Sequence, residues 1–209
     1  MMGLSNHLVI MAKLPVAGRV KTRLAAEIGA TEAVRFYRGL LSDTVRRLAG
    51  DRRWHTWIAL TPDGAVDRFA PPAPRSATII PQGTGSLGER MQRLMDRLPP
   101  GPAVIIGSDI PGITRSDIAA GFGALGSADA VFGPAADGGY WLVGQRRLPR
   151  NIKLFCNVRW SSEHALADTL MNVASRRVAL LRTIADLDDR ADYLRWRRSQ
   201  ASRCTPRPG

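Results

Sequence analysis

Ala103-Val104-Ile105-Ile106-Gly107-Ser108-Asp109-Ile110-Pro111 runs four apolar residues into a glycine, a serine, an acid and, two residues on, a proline. Apolar residues of strand length without alternation predict a strand covered on both faces, as in a parallel sheet sandwiched by helices. In open sheets of that kind ligands sit at the carboxyl ends of the strands, near the point where strand order reverses. An acid where such a strand gives out therefore points into the crevice. Asp109 can be read as a Mg²⁺ ligand, since Mg²⁺ takes one or two carboxylates and otherwise phosphate and water oxygens. It can also be read as a helix-capping aspartate.

The same alternation extends to either side. Strands are predicted at 7–12, 54–60, 77–80, 129–132, 140–143 and 178–181, and helices at 87–98, 116–125, 161–173 and 190–198. From Thr31 to Ala49, Ala33, Phe36, Tyr37, Leu40, Leu41, Val45 and Leu48 recur at steps of three and four. That is an amphipathic helix with Thr31 as a plausible cap. Thr114 or Ser116 would open the helix at 116, and Ser161 or Ser162, with Glu163 in the first turn, the one at 161. Strands alternating with helices predict a three-layer, Rossmann-like α/β fold with a mainly parallel sheet. One domain is expected over residues 1–198, followed by a disordered tail over 199–209.

Composition narrows the classes. A 209-residue chain buries enough surface for its own core. Its longest apolar runs fall far short of a membrane span, and the N-terminus lacks the basic start of a secretory signal. Cys156 and Cys204 have no partner at metal-site spacing. A cytoplasmic protein is expected. The net charge of +12 would suit nucleic acid, yet only Lys13, Lys21 and Lys153 among 30 basic residues are lysines. The arginines are scattered and not interleaved with aromatics, so a solvated, phosphate-attracting surface is expected rather than specific nucleic-acid binding. Oligomeric state is not legible.

Three further loops follow strands. Ala12-Lys13-Leu14-Pro15-Val16-Ala17-Gly18-Arg19-Val20-Lys21-Thr22-Arg23-Leu24 gathers Lys13, Arg19, Lys21 and Arg23 beside a permissive Gly18. Arginine forks and lysine point charges at a strand end suit a di- or triphosphate; the glycine pattern of a P-loop is missing. Gln82-Gly83-Thr84-Gly85-Ser86-Leu87-Gly88-Glu89-Arg90 offers Gly83 and Gly85 for close approach to a ligand, or for a plain turn. Gly133-Pro134-Ala135-Ala136-Asp137-Gly138-Gly139-Tyr140-Trp141 puts an acid in a turn. Asp137 could be a site acid or only a turn former, and Tyr140 and Trp141 site residues or core. Near the C-terminus, Asp186 and Asp188 project to one side of an extended chain, as paired carboxylates on a metal would, and Asp189 could cap the last helix.

With these loops together, the sequence resembles the bacterial glycosyltransferase-A-like proteins called radical-SAM/selenodomain-associated transferase 1, related to 2-phospholactate guanylyltransferase. The matching stretches are Ala12-Lys13 through Arg23-Leu24, Leu87-Gly88-Glu89-Arg90, Gly107-Ser108-Asp109, Gly133 to Trp141, Trp160-Ser161-Ser162 and Asp186-Leu187-Asp188. The resemblance implies a nucleotide-diphospho-sugar transferase (GT-A) fold with nucleotide over the first loop and a divalent metal at Asp109. Carried over, Lys13, Arg19, Lys21 and Arg23 match the basic nucleotide loop, and Asp109 the metal-binding Asp. Ala12, Gly18, Gly83, Gly85, Gly88 and Ser108 are further expected at the nucleotide, and Mg²⁺ or Mn²⁺ on Asp109 with Asp186 or Asp188. Asp109, Lys21 and Asp137 are the expected catalytic residues. Glycosyltransferases of this fold usually carry Asp-X-Asp at the central strand; here Ser108 precedes a single acid. That favours a Mg²⁺-dependent nucleotidyltransferase joining an NTP to a small acceptor bearing a phosphate or carboxylate. A glycosyltransferase using a nucleotide sugar is the alternative, and a non-catalytic nucleotide- or nucleic-acid-binding module a third reading.

Overall fold

Leu8, Val9 and Ile10 are fully removed from solvent in β1 (His7–Lys13), which lies between two parallel partners, β2 (His55–Thr61) and β4 (Ala103–Gly107). A strand so placed has both faces covered, which is why its apolar residues do not alternate with polar ones. The computed structural model describes residues 4–68, 77–184, 193–195 and 197–198. These gather into two compact units: residues up to 14 with 40–184, and residues 15–39 with the described part of 193–198.

The first unit holds the sheet. With β3 (Thr78–Pro81), β5 (Ala130–Pro134), β6 (Tyr140–Gln145) and β7 (Val178–Leu180), its order is β3-β2-β1-β4-β6-β5-β7. All neighbours run parallel except β6, which is antiparallel to both β4 and β5. The order reverses where β1 meets β4.

α3 (Leu87–Arg97) and α5 (Ala165–Met171) cover one face, where Met91, Leu94 and Met95 pack with Val9, Ile105, Phe132 and Val143. On the other face, α4 (Arg115–Ala124) sets Gly121 against Leu142, and Trp54 stacks on Phe122 while its indole donates to the Leu48 carbonyl. Each such side chain removed from water contributes roughly 1.5–3 kcal/mol. Capping boxes start two of these helices, Ser86 with Glu89 for α3 and Thr114 with Asp117 for α4. Arg182 grips Asp117 at 2.7 and 2.8 Å, and this pair above all holds the Asp117 carboxyl down at about 2.

The second unit contains α1 (Thr22–Ile28) and the first half of α2 (Ala30–Leu48). Phe36 meets the Tyr193 ring edge-on at 5.1 Å, and the Tyr193 hydroxyl donates to Glu32 at 2.6 Å.

The expected strands and helices are present, with ends displaced by a few residues. Neither α1 nor the short 3-10 helix Asp63–Arg68 was expected, and both are too short to show a period. The last expected helix is seen only at 193–195 and 197–198, and the tail over 199–209 lies outside the described residues. The helix expected from 161 begins at Ala165 instead, with His164 at its cap position and no side-chain cap bond. Ser161 adopts φ 59, and the Ser162 hydroxyl donates to the Arg159 carbonyl, which keeps the serines in a turn before the helix. No helix among the described residues is long and apolar enough to cross a membrane.

At the start of β1, His7 is buried and its Nδ1 accepts from the Trp57 indole at 3.2 Å. Burial lowers its pKa, and the nearby positive groups Arg147 and His55 act in the same direction against a bond to the Pro100 carbonyl. The neutral ring is the native form. Its stabilisation is therefore complete above the ordinary histidine pKa of about 6.5 and is lost as pH falls through the lower folded value. The wild type should lose melting temperature between pH 7.5 and 5 by more than His7→Gln does. Parallel loss in both proteins would show that His7 is not the titrating group.

Candidate functional site

β1 and β4 end side by side, and the backbone N–H of Ser108 carries their pairing one step further by donating to Met11 at 3.1 Å. Ser108 is buried, and Asp109 follows it, half-buried, two residues beyond the end of β4. A side chain at Gly107 would bring its Cβ to 3.0 Å from Asp109 Oδ1, so the bare glycine makes room for the carboxylate.

Asp137 arrives from the β5–β6 hairpin. Its Oδ1 accepts from the Gly139 N–H at 2.9 Å, as a turn-forming aspartate does. It also lines the same cleft as Asp109, so the turn places an acid at the site. Gly138, at φ 83, explains the Gly-Gly pair. A Cβ there would lie 2.2 Å from the Glu163 carbonyl oxygen, and only glycine lets the hairpin sit against the start of α5.

The cleft has a volume of about 420 Å³. Met11, Leu87, Met91, Tyr140, Trp141 and Trp160 form its apolar wall, with Asp109, Asp137, Ser161 and Ser162 as the polar groups on it. Tyr140 packs edge-on against both Phe132 and Trp160, which fixes the wall. Burial pushes the Tyr140 hydroxyl well above the usual tyrosine range, so it stays protonated. Tyr140 and Trp141 thus hold both expected positions, core and cleft; Trp141 is 1% exposed.

Two supports carried no signal in the sequence. The buried Gln82 donates from Nε2 to the carbonyls of Ala12 (2.9 Å) and Ala59 (2.8 Å), and its Oε1 accepts from Arg90 at 3.0 Å. One side chain thereby clamps the carboxyl ends of β1 and β2. Asp168 on α5 takes the Arg159 guanidinium at 2.8 and 2.9 Å and the Arg159 N–H at 3.0 Å, which fixes the turn carrying Trp160 and Ser161. That Arg159 contact holds the Asp168 carboxyl at about 2. Each is a polar residue whose partner lies far away in sequence or across a turn, and no local pattern marks such pairs.

Of the residues expected at the nucleotide, Ala12 and Ser108 lie buried at the ends of β1 and β4, and Lys13 is the exposed last residue of β1. Gly83 (φ 79) and Gly85 (φ 101) do use left-handed backbone, and Gly88 lets α3 approach Trp160 and Phe155. Gly18, Arg19, Lys21 and Arg23 belong to the second unit. There Gly18, Arg19 and Arg23 are exposed, and Lys21 stands at the cap position of α1 with φ 46. Asp186 and Asp188 lie outside the described residues. Among those described, no three of His, Cys, Asp and Glu gather as a metal cage. The donor set of the cleft is two carboxylates, which fits a hard cation that shares its shell with phosphate oxygens and water.

The profile of a family described as "Uncharacterized protein conserved in bacteria (DUF2064)" matches residues 44–162. Among solved structures, the chain is similar to a protein from Desulfovibrio desulfuricans G20 provisionally named a nucleotide-diphospho-sugar transferase. The two share 28% identity and a TM-score of 0.84, with 98% of this chain and 91% of that one covered. It is also similar in fold to the 4-diphosphocytidyl-2C-methyl-D-erythritol synthase of Anaerococcus prevotii DSM 20548, at 8% identity and TM-score 0.63 over 95% of this chain and 99% of that one. Rv0371c of Mycobacterium tuberculosis H37Rv, solved in complex with manganese, matches at 17% identity and TM-score 0.54 over 93% and 98%. No curated protein matches the sequence. The fold is that of the nucleotide-diphospho-sugar transferases and nucleotidyltransferases.

Proposed function

The chain belongs to the DUF2064 family, and from that premise we propose that it is a nucleotidyltransferase acting on an NTP and a small acceptor bearing a phosphate or carboxylate. The observation that carries the reading is the pair Asp109 and Asp137 on one cleft beside the β1–β4 switch point. The residues found to line that cleft include no lysine, arginine or histidine. Two carboxylates alone would repel a triphosphate, so a site of this make-up calls for a divalent cation between them and the nucleotide. Mg²⁺ or Mn²⁺ held by Asp109 and Asp137, with Asp186 or Asp188 as further candidates, would neutralise phosphate charge when bound. The manganese complex of the Mycobacterium tuberculosis neighbour supports that choice.

In the proposed reaction an acceptor oxygen bonds to the α-phosphorus of the NTP. The bond from that phosphorus to the α,β-bridging oxygen breaks, and pyrophosphate leaves with the bonding pair. The chain's own contribution is placement rather than covalent chemistry. The apolar wall excludes water, and Asp137 and the serines orient the acceptor. By residue type and spacing, Lys13, Arg19, Lys21 and Arg23 are candidates for contacts to nucleotide phosphates.

The competing reading, glycosyl transfer from a nucleotide sugar, is favoured by the name given to the Desulfovibrio desulfuricans protein. Product analysis separates the two. With NTPs, acceptors and Mg²⁺, the proposal requires pyrophosphate formed one-for-one with nucleotidylated acceptor. Nucleoside diphosphate released from a nucleotide sugar, with no pyrophosphate from any NTP, would establish the glycosyl reading instead. In the same assay Arg19→Ala and Lys21→Ala should each raise the KM for NTP several-fold while moving stability by less than about 0.5 kcal/mol.

A further inference from the structure

The cleft meets β6 at Tyr140, Trp141 and Val143; a second concavity of about 440 Å³ begins where β6 has ended, at Arg146 and Arg147, and takes in Asp129, Arg150, Asn151 and Arg176. From Val143 to Arg146 the chain advances three residues, roughly 10 Å at the usual rise per residue. Its charged lining is four guanidinium groups against one carboxylate.

That carboxylate is already committed. Asp129 accepts from Arg146, from the Arg177 N–H at 3.1 Å, and stands 3.8 Å from the Arg177 guanidinium. Arg147 is buried and held at φ 63, in the left-handed region a non-glycine residue rarely adopts. It is locked there by donating to the carbonyls of Leu98 (2.6 Å), Pro99 (2.9 Å) and Gly101 (3.1 Å). The carbonyls take its two terminal nitrogens without cancelling its charge, and its Nε is buried with no partner among the described residues. Arg150 and Arg176 are exposed at the rim, and among the described residues neither has a carboxylate within ion-pair distance. A concave site with fixed and free guanidiniums and one neutralised acid has the make-up that recognises a tetrahedral oxyanion, which arginine forks meet bidentately.

We propose that this pocket of Arg146, Arg147, Arg150 and Arg176 is a second ligand site, for a small phosphate-bearing anion, at the end of the sheet away from the acidic cleft. Occupancy there is independent of the cation the cleft calls for, because the pocket supplies its own positive charge. Its concavity fits a small ligand rather than an extended polyanion.

Calorimetric titration of the full chain with inorganic pyrophosphate, in chelator and at physiological ionic strength, tests this. The expected result is a saturable binding event that Arg150→Ala/Arg176→Ala weakens at least tenfold and Arg150→Lys/Arg176→Lys weakens less. Arg19→Ala/Lys21→Ala should leave that event in place. Circular dichroism and melting temperature check that the rim variants, both at exposed positions, remain folded. No saturable binding, or binding unchanged in Arg150→Ala/Arg176→Ala, would overturn the proposal. So would binding removed by Arg19→Ala/Lys21→Ala alone, which would assign the anion to the 13–23 loop. Arginine-dependent binding of an RNA oligonucleotide without any of pyrophosphate would overturn it as well, in favour of a macromolecular surface.

Discussion

Asp109→Asn is expected to leave the protein folded and to lower turnover about a hundredfold or more. Asparagine matches aspartate in shape, and the residue is half-buried beyond the end of β4, so the packing around Gly107 and Ile110 survives the exchange. What disappears is a full negative charge in the cleft. Loss of a group that stabilises charge in the transition state typically costs about 3 kcal/mol, which is the expected factor. The Mg²⁺ concentration for half-maximal rate should rise in parallel, because one of the two cleft carboxylates is gone. Turnover and Mg²⁺ titration of the variant, beside its melting temperature, are the measurements. A wild-type rate with unchanged Mg²⁺ dependence would remove Asp109 from the site.

Trp141→Ala should have the largest effect on stability, about 3–5 kcal/mol, as expected for an aromatic removed from a close-packed interior. Trp141 is 1% exposed, its indole donates to the Arg182 carbonyl at 2.9 Å, and its ring fills space that a Cβ at Gly133 would enter at 2.3 Å. The ring therefore has no shorter substitute, and the neighbouring strand cannot move in. For a chain of this length such a loss corresponds to a fall of roughly 10 °C in melting temperature. Trp160→Ala, at a half-buried position, should cost much less and act mainly on substrate affinity. A Trp141→Ala protein melting within about two degrees of wild type would mean that the pocket around Gly133 closes over the gap.

The fold was legible because its strands are covered on both faces. Runs such as Leu8-Val9-Ile10 and Val104-Ile105-Ile106 announce themselves without any knowledge of partners. Asp109 was legible for the related reason that an acid stands out where an apolar run ends. The antiparallel course of β6 was not, since Trp141-Leu142-Val143 reads the same in either direction. The residues Asp137-Gly138-Gly139 showed a turn, but not that Gly138 lies against Glu163. Gln82 and the pair Arg159–Asp168 escaped because their partners are set by tertiary placement rather than by a period. The cleft's apolar wall was assembled in the same way: Met11, Leu87 and Trp160 come from three elements and share no spacing.

The outer strands among the described residues, β3 and β7, are four and three residues long, and β3 ends in Pro81. A sheet edge offers unpaired N–H and C=O groups to any extended chain it meets, and long flat edges seed aggregation. Here the long strands β1 and β2 are enclosed by neighbours, and the exposed borders are too brief to template more than a few bonds. Proline removes a donor from one of them. The strand order that opens a ligand crevice thus also guards the sheet against edge-to-edge self-association, a protection that lengthening β7 by even two or three apolar residues would undo.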